Sequence, residues 1–437
     1  MFPADERPFL AAIVARPADD EPRLVYADYL DETGQTRDAA RAELVRVQIA
    51  LHRLPHEDSR RPAIAERESE LLESFRNSWA APLAKLGVKF QFRRGLPDAV
   101  SIDAALFLRR GEELFDNTSA GTGRSFLSRL RLEDAHRLLP ELAACPWLNR
   151  IEELDLSGSD LGNAGLHAFL GSKFLRNLRA FDLGNNRLDD SAAAALARSD
   201  SMPRCRSLGL ADNDIGAAGV SALCDSPFLA GLVELDLTGN EVDETGVRSL
   251  VDGPATRRIE RLKLADNPLR EGLISLAQSD LFARLSRLDS HLDLHRCGIE
   301  ANGAAALAAS PAFAAIESLE VGENYLGDAG AAALARASHL RVLSLVRNQI
   351  SDAGAAAILA GNMPKLERLD VSNNRLTPRG VDTLKAAARD RGFTLLALNN
   401  GTETMAALPP PPEGISELER VARIKRGLFH PASRPGL

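Results

Sequence analysis

The chain has 437 residues, with 53 Lys and Arg against 61 Asp and Glu, and therefore a formal net charge of −8 at pH 7. This mildly acidic balance argues against a nucleic-acid-binding protein, which would present a basic stripe. It is compatible with a basic protein partner but does not require one. The length exceeds what one compact core accommodates, whereas an open solenoid has no such limit.

The four cysteines form no CxxC pair, and we expect them to be small buried residues in a reducing compartment. The N-terminal sequence MFPADERP is acidic rather than basic, unlike a signal peptide, and no apolar run reaches transmembrane length. We therefore expect a monomeric cytoplasmic protein that binds neither a membrane nor a nucleic acid.

Residues 1–55 are predicted to be helical. Asp5 is expected to cap a first helix that Pro17 ends, and a second helix starts at Asp20 with proline in its first turn. Gly34 ends the second helix, and a third covers about 38–54. These helices carry no internal repeat, so we predict a separate helical module.

Two phrases in this module are distinctive, DEPRLVYADYLDETG (Asp20–Gly34) and RAELVRVQIAL (Arg41–Leu51). They resemble the bacterial repeat-companion domain, a small module found at the N-terminus of repeat proteins. The resemblance implies an architecture and no activity. Tyr26, Asp28 and Tyr29 are interpreted as packing and capping residues, because aromatic residues at helical spacing usually face a core.

Residues 56–125 are predicted to form an N-terminal cap and an entry repeat. A helix is expected at 62–79, and Val88–Arg93 alternates in the manner of a strand that turns into Ala99–Ile102. Asn117–Arg124 is rich in Gly, Ser and Thr and is predicted to be a mobile loop. It lacks the Gly-Lys-Ser/Thr ending of a phosphate loop.

From residue 126 to 400 one frame recurs, first clearly as IEELDLSGSDL (Ile151–Leu161). It returns at Leu178–Leu188, Cys205–Ile215, Leu232–Val242, Ile259–Leu269, Ile316–Leu326, Leu340–Ile350 and Leu366–Leu376, with an irregular copy around Leu292. This is the signature L-x-x-L-x-L-x-x-N/C-x-L. The chain therefore resembles the leucine-rich repeat family.

Most repeats are 27 residues long, and the copy at Leu292 follows after 30. Each carries a helical stretch such as GAAGVSALCDSPFL (Gly216–Leu229), which is most similar to the ribonuclease-inhibitor-like subfamily. The resemblance implies an α/β fold: a curved horseshoe with a parallel concave β-sheet and convex helices, here joined to the α-helical N-terminal module.

Residues 401–437 are predicted to be a Pro-rich linker and a short amphipathic tail helix. Gly401–Pro412 contains four consecutive prolines. The apolar stripe of the tail then runs through Ile415, Leu418, Val421, Ile424 and Leu428. A helix this short is marginal alone, and we expect it either to dock on the open end of the solenoid or to be disordered.

The ninth frame position is predicted to form a buried asparagine ladder. At the turn where the chain leaves the sheet, an Asn amide can bond backbone groups that lack ladder partners. The ladder comprises Asn186, Asn213, Asn240, Asn267, Asn324, Asn348 and Asn374, with Ser159 and Cys297 as departures from Asn.

The strand positions between the buried leucines are expected to face the concave side and form a row of carboxylates about 4.8 Å apart. Such a row can steer a basic partner, whereas the plain alternative is that Leu-Asp-Leu is ordinary repeat consensus. The predicted partner-binding residues are Glu152, Asp155, Arg179, Asp182, Glu234, Asp236, Lys263, His291, Asp293, His295, Glu320 and Asp370.

The irregular repeat places His291, Asp293 and His295 on one face of a strand. Two histidines and an aspartate suggest a zinc site, but residues four apart on a strand are roughly 13 Å apart and cannot share one ion unaided. We expect no metal and no other cofactor.

We predict a non-enzymatic scaffold that binds a protein partner, because no catalytic triad, metal motif or phosphate loop is recognisable in the sequence. The alternative is a regulator, either activator or inhibitor, of a GTPase or another enzyme, for which Arg187 and Arg347 are candidate exposed residues. A ubiquitin-ligase role is set aside, since the residues after the array contain no Cys. The excess of Arg and Ala suggests a GC-rich bacterial genome.

Overall fold

The computed structural model describes residues 4–55, 58–119 and 125–400. The predicted tail helix and its Pro-rich linker lie outside these residues, and so do residues 120–124 of the predicted loop. No helix in the described ranges is long and apolar enough to cross a membrane. The N-terminal helices are α1 Arg7–Ala15, α2 Glu21–Glu32, α3 Thr36–Arg53, α4 Arg61–Trp79 and α5 Ala81–Lys85.

The first three helices pack around Leu10, Tyr26, Leu30 and Ile49, all buried, and Leu96 enters the same apolar cluster from the segment that follows the helices. The prediction that Asp5 caps α1 was wrong. Glu6 occupies that position without a capping bond. The Asp5 carboxylate instead accepts a hydrogen bond from the Tyr29 hydroxyl at 3.0 Å, because Tyr29 stacks on Phe9 beside it.

The connection to the repeats is an antiparallel pair, β1 Lys89–Arg93 and β2 Leu96–Asp103, followed by α6 Ala104–Ser119. The prediction of a loop from Asn117 was wrong for its first three residues, because the backbone of α6 continues through Ser119. Phe107, Leu114 and Phe115 of this helix are buried against the end of the repeat core, and the helical backbone continues past them into the first residues of the Gly-, Ser- and Thr-rich segment.

The turn between β1 and β2 attaches the helical region to the remainder of the chain. Arg94 donates to the carbonyls of Pro17 and Ala18 at 2.8 and 2.9 Å and to the Asp20 carboxylate at 3.1 Å. The amide of Gly95 donates to the Gln48 side chain at 2.7 Å. Gly95 has a φ of +85°, and a Cβ there would lie 2.1 Å from Cγ2 of Val45, so only glycine permits this approach.

The repeat strands lie side by side in chain order and pair in parallel, with the central apolar residues opposite each other, as Leu154 is opposite Phe181 and Phe181 opposite Leu208. The first sheet continues with β3 Arg129–Glu133, β4 Glu153–Asp155, β5 Ala180–Asp182, β6 Ser207–Gly209, β7 Glu234–Asp236 and β8 Arg261–Lys263. A second sheet contains β9 His291–Asp293, β10 Ser318–Glu320, β11 Val342–Ser344, β12 Arg368–Asp370 and β13 Thr394–Leu396.

Helices cover one side of both sheets, which leaves the other side, called here the concave face, open. They are α7 Leu139–Ala143, α8 Gly162–Leu170, α9 Asp190–Arg198, α10 Ala217–Cys224, α11 Glu244–Asp252, α12 Gly272–Ala277, α13 Asp280–Leu285, α14 Ala301–Ala309, α15 Gly327–Leu334, α16 Asp352–Ala360 and α17 Pro378–Arg391. One apolar cluster runs between strands and helices from Ala80 to Phe393. The predicted α/β leucine-rich repeat solenoid with a helical N-terminal region is confirmed.

The boundary between the two sheets falls at the 30-residue repeat, between β8 and β9. The first frame position is a buried apolar residue in the flanking repeats, Ile259 and Ile316, each 1% exposed. In the irregular repeat Asp289 occupies that position and is exposed. Burying this carboxylate in the apolar layer would cost too much desolvation energy. The start of the repeat therefore stays at the surface, and β9 does not pair with β8.

Candidate functional site

The central column of the concave face carries aspartates whose first role is internal. In each, Oδ1 accepts a hydrogen bond of 2.8–3.0 Å from the backbone N–H two residues later, which fixes the turn leaving the strand. The five are Asp155, Asp182, Asp236, Asp293 and Asp370. Sequence reasoning missed this bond, although the recurring Asp with a Ser, Gly, Thr or His two residues on was visible.

Several of the predicted binding residues neutralise one another across neighbouring strands. Arg179 pairs with Glu152 at 3.4 Å, and Lys263 pairs with Asp236 at 2.9 Å. Glu234 accepts from Arg261 at 3.1 Å, and Asp155 accepts from Arg131 at the same distance. The predicted acidic row is therefore partly compensated within the protein.

Four carboxylates of the central column remain outside any ion pair with the described residues. We call them the open carboxylates: Asp182, Asp293, Glu320 and Asp370. Because aspartates use Oδ1 for the turn, the second oxygen is left for solvent or a partner.

Asp182 has the least usual environment of the four. Partial burial raises the pKa of Asp182, and the nearby carboxylates of Asp155 and Asp236 raise it further. Its neighbour on the next strand is Gly209, where a Cβ would lie 2.8 Å from Asp182 Oδ1. Because Gly209 has no side chain, the space beside the Asp182 carboxylate is open, and a cation of a partner could reach it from the concave side.

The predicted histidines do not converge. His291 Nδ1 hydrogen-bonds Ser318 Oγ at 3.0 Å, whereas His295 packs over Gly322, where a Cβ would lie 2.9 Å from its Nδ1. Across the described ranges, no group of three or more His, Cys, Asp or Glu side chains could hold a metal ion.

The ladder asparagines are buried, at 0–2% exposure, and each bonds backbone groups of two repeats. Asn240 Nδ2 donates to the carbonyls of Leu210, Leu237 and Thr238 at 2.8–3.2 Å, while its Oδ1 accepts from the amide of Ile215. The other six asparagines have similar environments. At the sheet boundary the Cys297 thiol faces the carbonyls of Leu264 and His295 at 3.5 and 3.4 Å but lacks the amide oxygen.

The candidate regulatory arginines both lie in ion pairs. Arg187 contacts Asp160 at 3.0 Å, and Arg347 contacts Glu323 at 2.9 Å.

In the helical region Tyr26 is fully buried and donates to Glu6 at 2.6 Å, and Asp28 pairs with Arg46 at 2.6 Å. These contacts are structural.

A leucine-rich repeat family model matches six segments of the chain, residues 150–170, 174–197, 206–224, 232–251, 336–359 and 362–385. The matched segments are repeats with regular strand pairing, and the sheet boundary falls between the fourth and the fifth. The sequence periodicity, the stacked strands and the family model agree that the chain contains leucine-rich repeats. No curated protein sequence matches it.

Solved structures similar to this chain include a TDR receptor, an internalin of Listeria monocytogenes and a leucine-rich repeat protein of Leptospira interrogans. Their identities are 18%, 18% and 15%, with TM-scores of 0.34, 0.37 and 0.34. The matches cover 59%, 62% and 66% of this chain, and 45%, 90% and 75% of the respective neighbour. The chain thus spans less than half of the TDR receptor.

Proposed function

We propose that this chain is a non-catalytic interaction scaffold whose concave face binds a protein partner through the partner's basic side chains. The observation that carries the proposal is the set of open carboxylates. They point outward from the two sheets, Asp182 from the first and the other three from the second, and no cation among the described residues forms an ion pair with them. Like charges held in a row raise the encounter rate with an oppositely charged surface and select against acidic ones.

Preorganisation supports the proposal. The aspartate side chains are held by backbone hydrogen bonds of 2.8–3.0 Å, so a partner would not have to order them on binding. Scarcity of aromatic residues on this face means that charge and shape, rather than large apolar anchors, would supply most of the specificity.

The test is affinity capture from native lysate with a matched pair of triple variants. Changing Asp182 and Asp370 to Asn and Glu320 to Gln removes the charge of three open carboxylates and keeps the oxygens that accept the turn hydrogen bonds of the two aspartates. A control triple variant, D200N/D225N/D252N, removes three exposed charges near the helix ends. Partners should be lost from the first variant and retained by the second; identical partner profiles for both variants would refute the proposal.

The alternative is a regulator, either activator or inhibitor, of a GTPase or another enzyme, and an activator would need an exposed Arg or Asn near one end of the array. Arg187 and Arg347 both contact carboxylates of adjacent repeats. The scaffold is therefore the role that we put forward.

We also propose ribonuclease-inhibitor-like repeats, since nearly every strand is followed by an α-helix. We propose a companion domain at 1–55, since α1 to α3 pack around one apolar cluster distinct from the repeat core, with Leu96 of β2 as its buried contact from outside. The proposal includes domain boundaries before residues 56, 126 and 401, and a monomeric protein. A cytoplasmic, bacterial origin fits four buried free thiols and the Arg-rich, Ala-rich composition.

A further inference from the structure

The boundary between β8 and β9 exposes apolar surface that the regular repeats bury. Leu235 and Leu319, at the centres of β7 and β10, are 2% and 0% exposed. Their counterparts on the two sides of the boundary, Leu262 and Leu292, are only half-buried. Leu288, on the approach to β9, is 57% exposed, more than most apolar side chains of the described repeats.

The opening has the form of a wedge. Beyond the strands the two repeats are joined, because the amide of Asp266 donates to the His295 carbonyl at 2.7 Å and that of Arg270 to the Cys297 carbonyl at 3.0 Å. Along the strands themselves no pairing connects β8 and β9 in the described sheets. The amide of His291 instead bonds the Asp289 side chain at 2.9 Å.

Charges of both signs lie around this wedge. Arg284 donates to the carbonyls of Thr256 and Ile259 at 2.8 and 3.2 Å, and Arg287, next to Leu288, is exposed. Glu260, Asp289 and Asp293 are exposed and form no ion pair with the described residues. The two cations of β8 are engaged elsewhere, Arg261 with Glu234 and Lys263 with Asp236, both on β7. A ligand of this opening therefore meets apolar side chains bordered by three carboxylates and by Arg287.

We propose that the wedge bordered by Leu262, Leu288 and Leu292, called here the junction notch, binds an extended segment of the protein partner. That segment carries one large apolar side chain flanked by Lys or Arg. The apolar side chain fills the notch, the basic residues contact the carboxylates around it, and its backbone bonds the unpaired strand edges. This inference rests on the proposed function and names the position and chemistry of the contact.

Two physical arguments favour an extended segment over a helix or a small molecule. Strand edges present N–H and C=O groups in a row, which an added strand satisfies and a helix does not. Anchoring energy in interfaces concentrates where an apolar side chain enters a desolvated pocket. The irregular repeat provides both features at one place, the boundary between the two sheets.

The test uses random twelve-residue peptides displayed on phage and selected on the full-length protein. Selected peptides are synthesised, and their affinities are measured by fluorescence polarisation. Leu288→Asn removes the exposed apolar side chain, and Phe228→Asn is the matched control, since Phe228 is 46% exposed elsewhere in the array. Asp289→Ile restores the buried frame residue and should close the notch.

We expect peptides with one apolar residue between basic ones. Leu288→Asn and Asp289→Ile should each weaken their binding at least about tenfold, with Phe228→Asn close to the native value. Peptides that bind both notch variants normally but lose affinity for D182N/E320Q/D370N would overturn the notch and keep the proposed function. Loss of affinity in none of these variants, or failure to select any peptide, would overturn the notch as a peptide site.

Discussion

The helical N-terminal region and the repeat array solve the same packing problem with different interactions. Helices α1 to α4 pack around two small apolar clusters and are further joined to each other and to β1–β2 by individual ionic contacts, such as Arg94 with Asp20 and Arg46 with Asp28. The array repeats one apolar frame and, in most units, one Asn contact. A local defect should therefore have local consequences in the array, whereas the helical region depends on a few irreplaceable contacts.

The largest effect is expected at the attachment of the helical region. Gly95→Ala should destabilise this region by about 2–4 kcal/mol, because the Cβ would clash with Val45 and φ is positive. Gly87→Ala is the control: φ is +71°, but nothing lies within 4 Å of the added Cβ. Urea unfolding followed by Trp79 emission in a Trp147→Phe background measures both, and equal losses would contradict the close-approach argument.

Removal of one ladder amide should lower the stability of the array by a smaller amount, because the contacts in the other repeats remain. Asn240→Ala leaves buried carbonyls and an amide without partners, at a cost of about 1–3 kcal/mol. The exposed Asn149→Ala should cost little. Thermal unfolding monitored by Trp147 emission in a Trp79→Phe background is the measurement; an unchanged midpoint for Asn240→Ala would refute the role of the ladder.

The sheet boundary offers the converse experiment, a repair. Cys297→Asn supplies the amide oxygen that the ladder lacks there and should stabilise the array by about 0.5–1.5 kcal/mol. Cys224→Asn is a matched control, since Cys224 is 2% exposed but lies on a helix away from the ladder. Destabilisation of both variants in denaturant would show that the position does not accept an amide.

The smallest predicted effect is a difference in acid response. Burial acts to raise the pKa of Asp20, but Arg94 and Arg53 outweigh it and hold the pKa below its usual value. This contribution to stability is present at neutral pH and is lost as the pH falls through the lowered pKa.

Asp182 behaves in the opposite way. Burial and two neighbouring carboxylates raise its pKa. Its charge opposes folding at neutral pH, and this penalty disappears as the pH falls below the raised value. Relative to wild type, Asp20→Asn should therefore lose less stability on acidification, and Asp182→Asn should gain less, in denaturant titrations at a series of pH values. Parallel curves for all three proteins would contradict these assignments.

Much of the array was predictable because the frame repeats: Leu154 and Leu208 mark strand centres whichever copy is considered. The unit at Leu292 was recognisable as irregular from its length. The separation of the two sheets could not be predicted, because it depends on the effect of Asp289 at the frame position that Ile259 fills in the preceding repeat. The hydrogen bonds of Arg94 to the loop after α1 could not be predicted either, since they join residues more than seventy positions apart in the sequence.

The sequence predicted which residues line the concave face, but it did not predict which of their charges are neutralised. Which carboxylates are neutralised depends on side-chain reach between strands, as for Lys263 with Asp236. The sequence shows both charges, but only the register places them opposite each other. Gly209 was visible as a gap in the row, yet its effect on Asp182 required the strand neighbours.

The most direct test of the central claim is carboxyl footprinting of the captured complex by carbodiimide labelling and mass spectrometry. The account predicts that a bound protein partner slows labelling of Asp182, Asp293, Glu320 and Asp370, and leaves exposed acids at the helix ends, such as Asp225 and Asp252, unchanged. Protection confined to the helix side, with the open carboxylates labelled at the rate of the free protein, would contradict it.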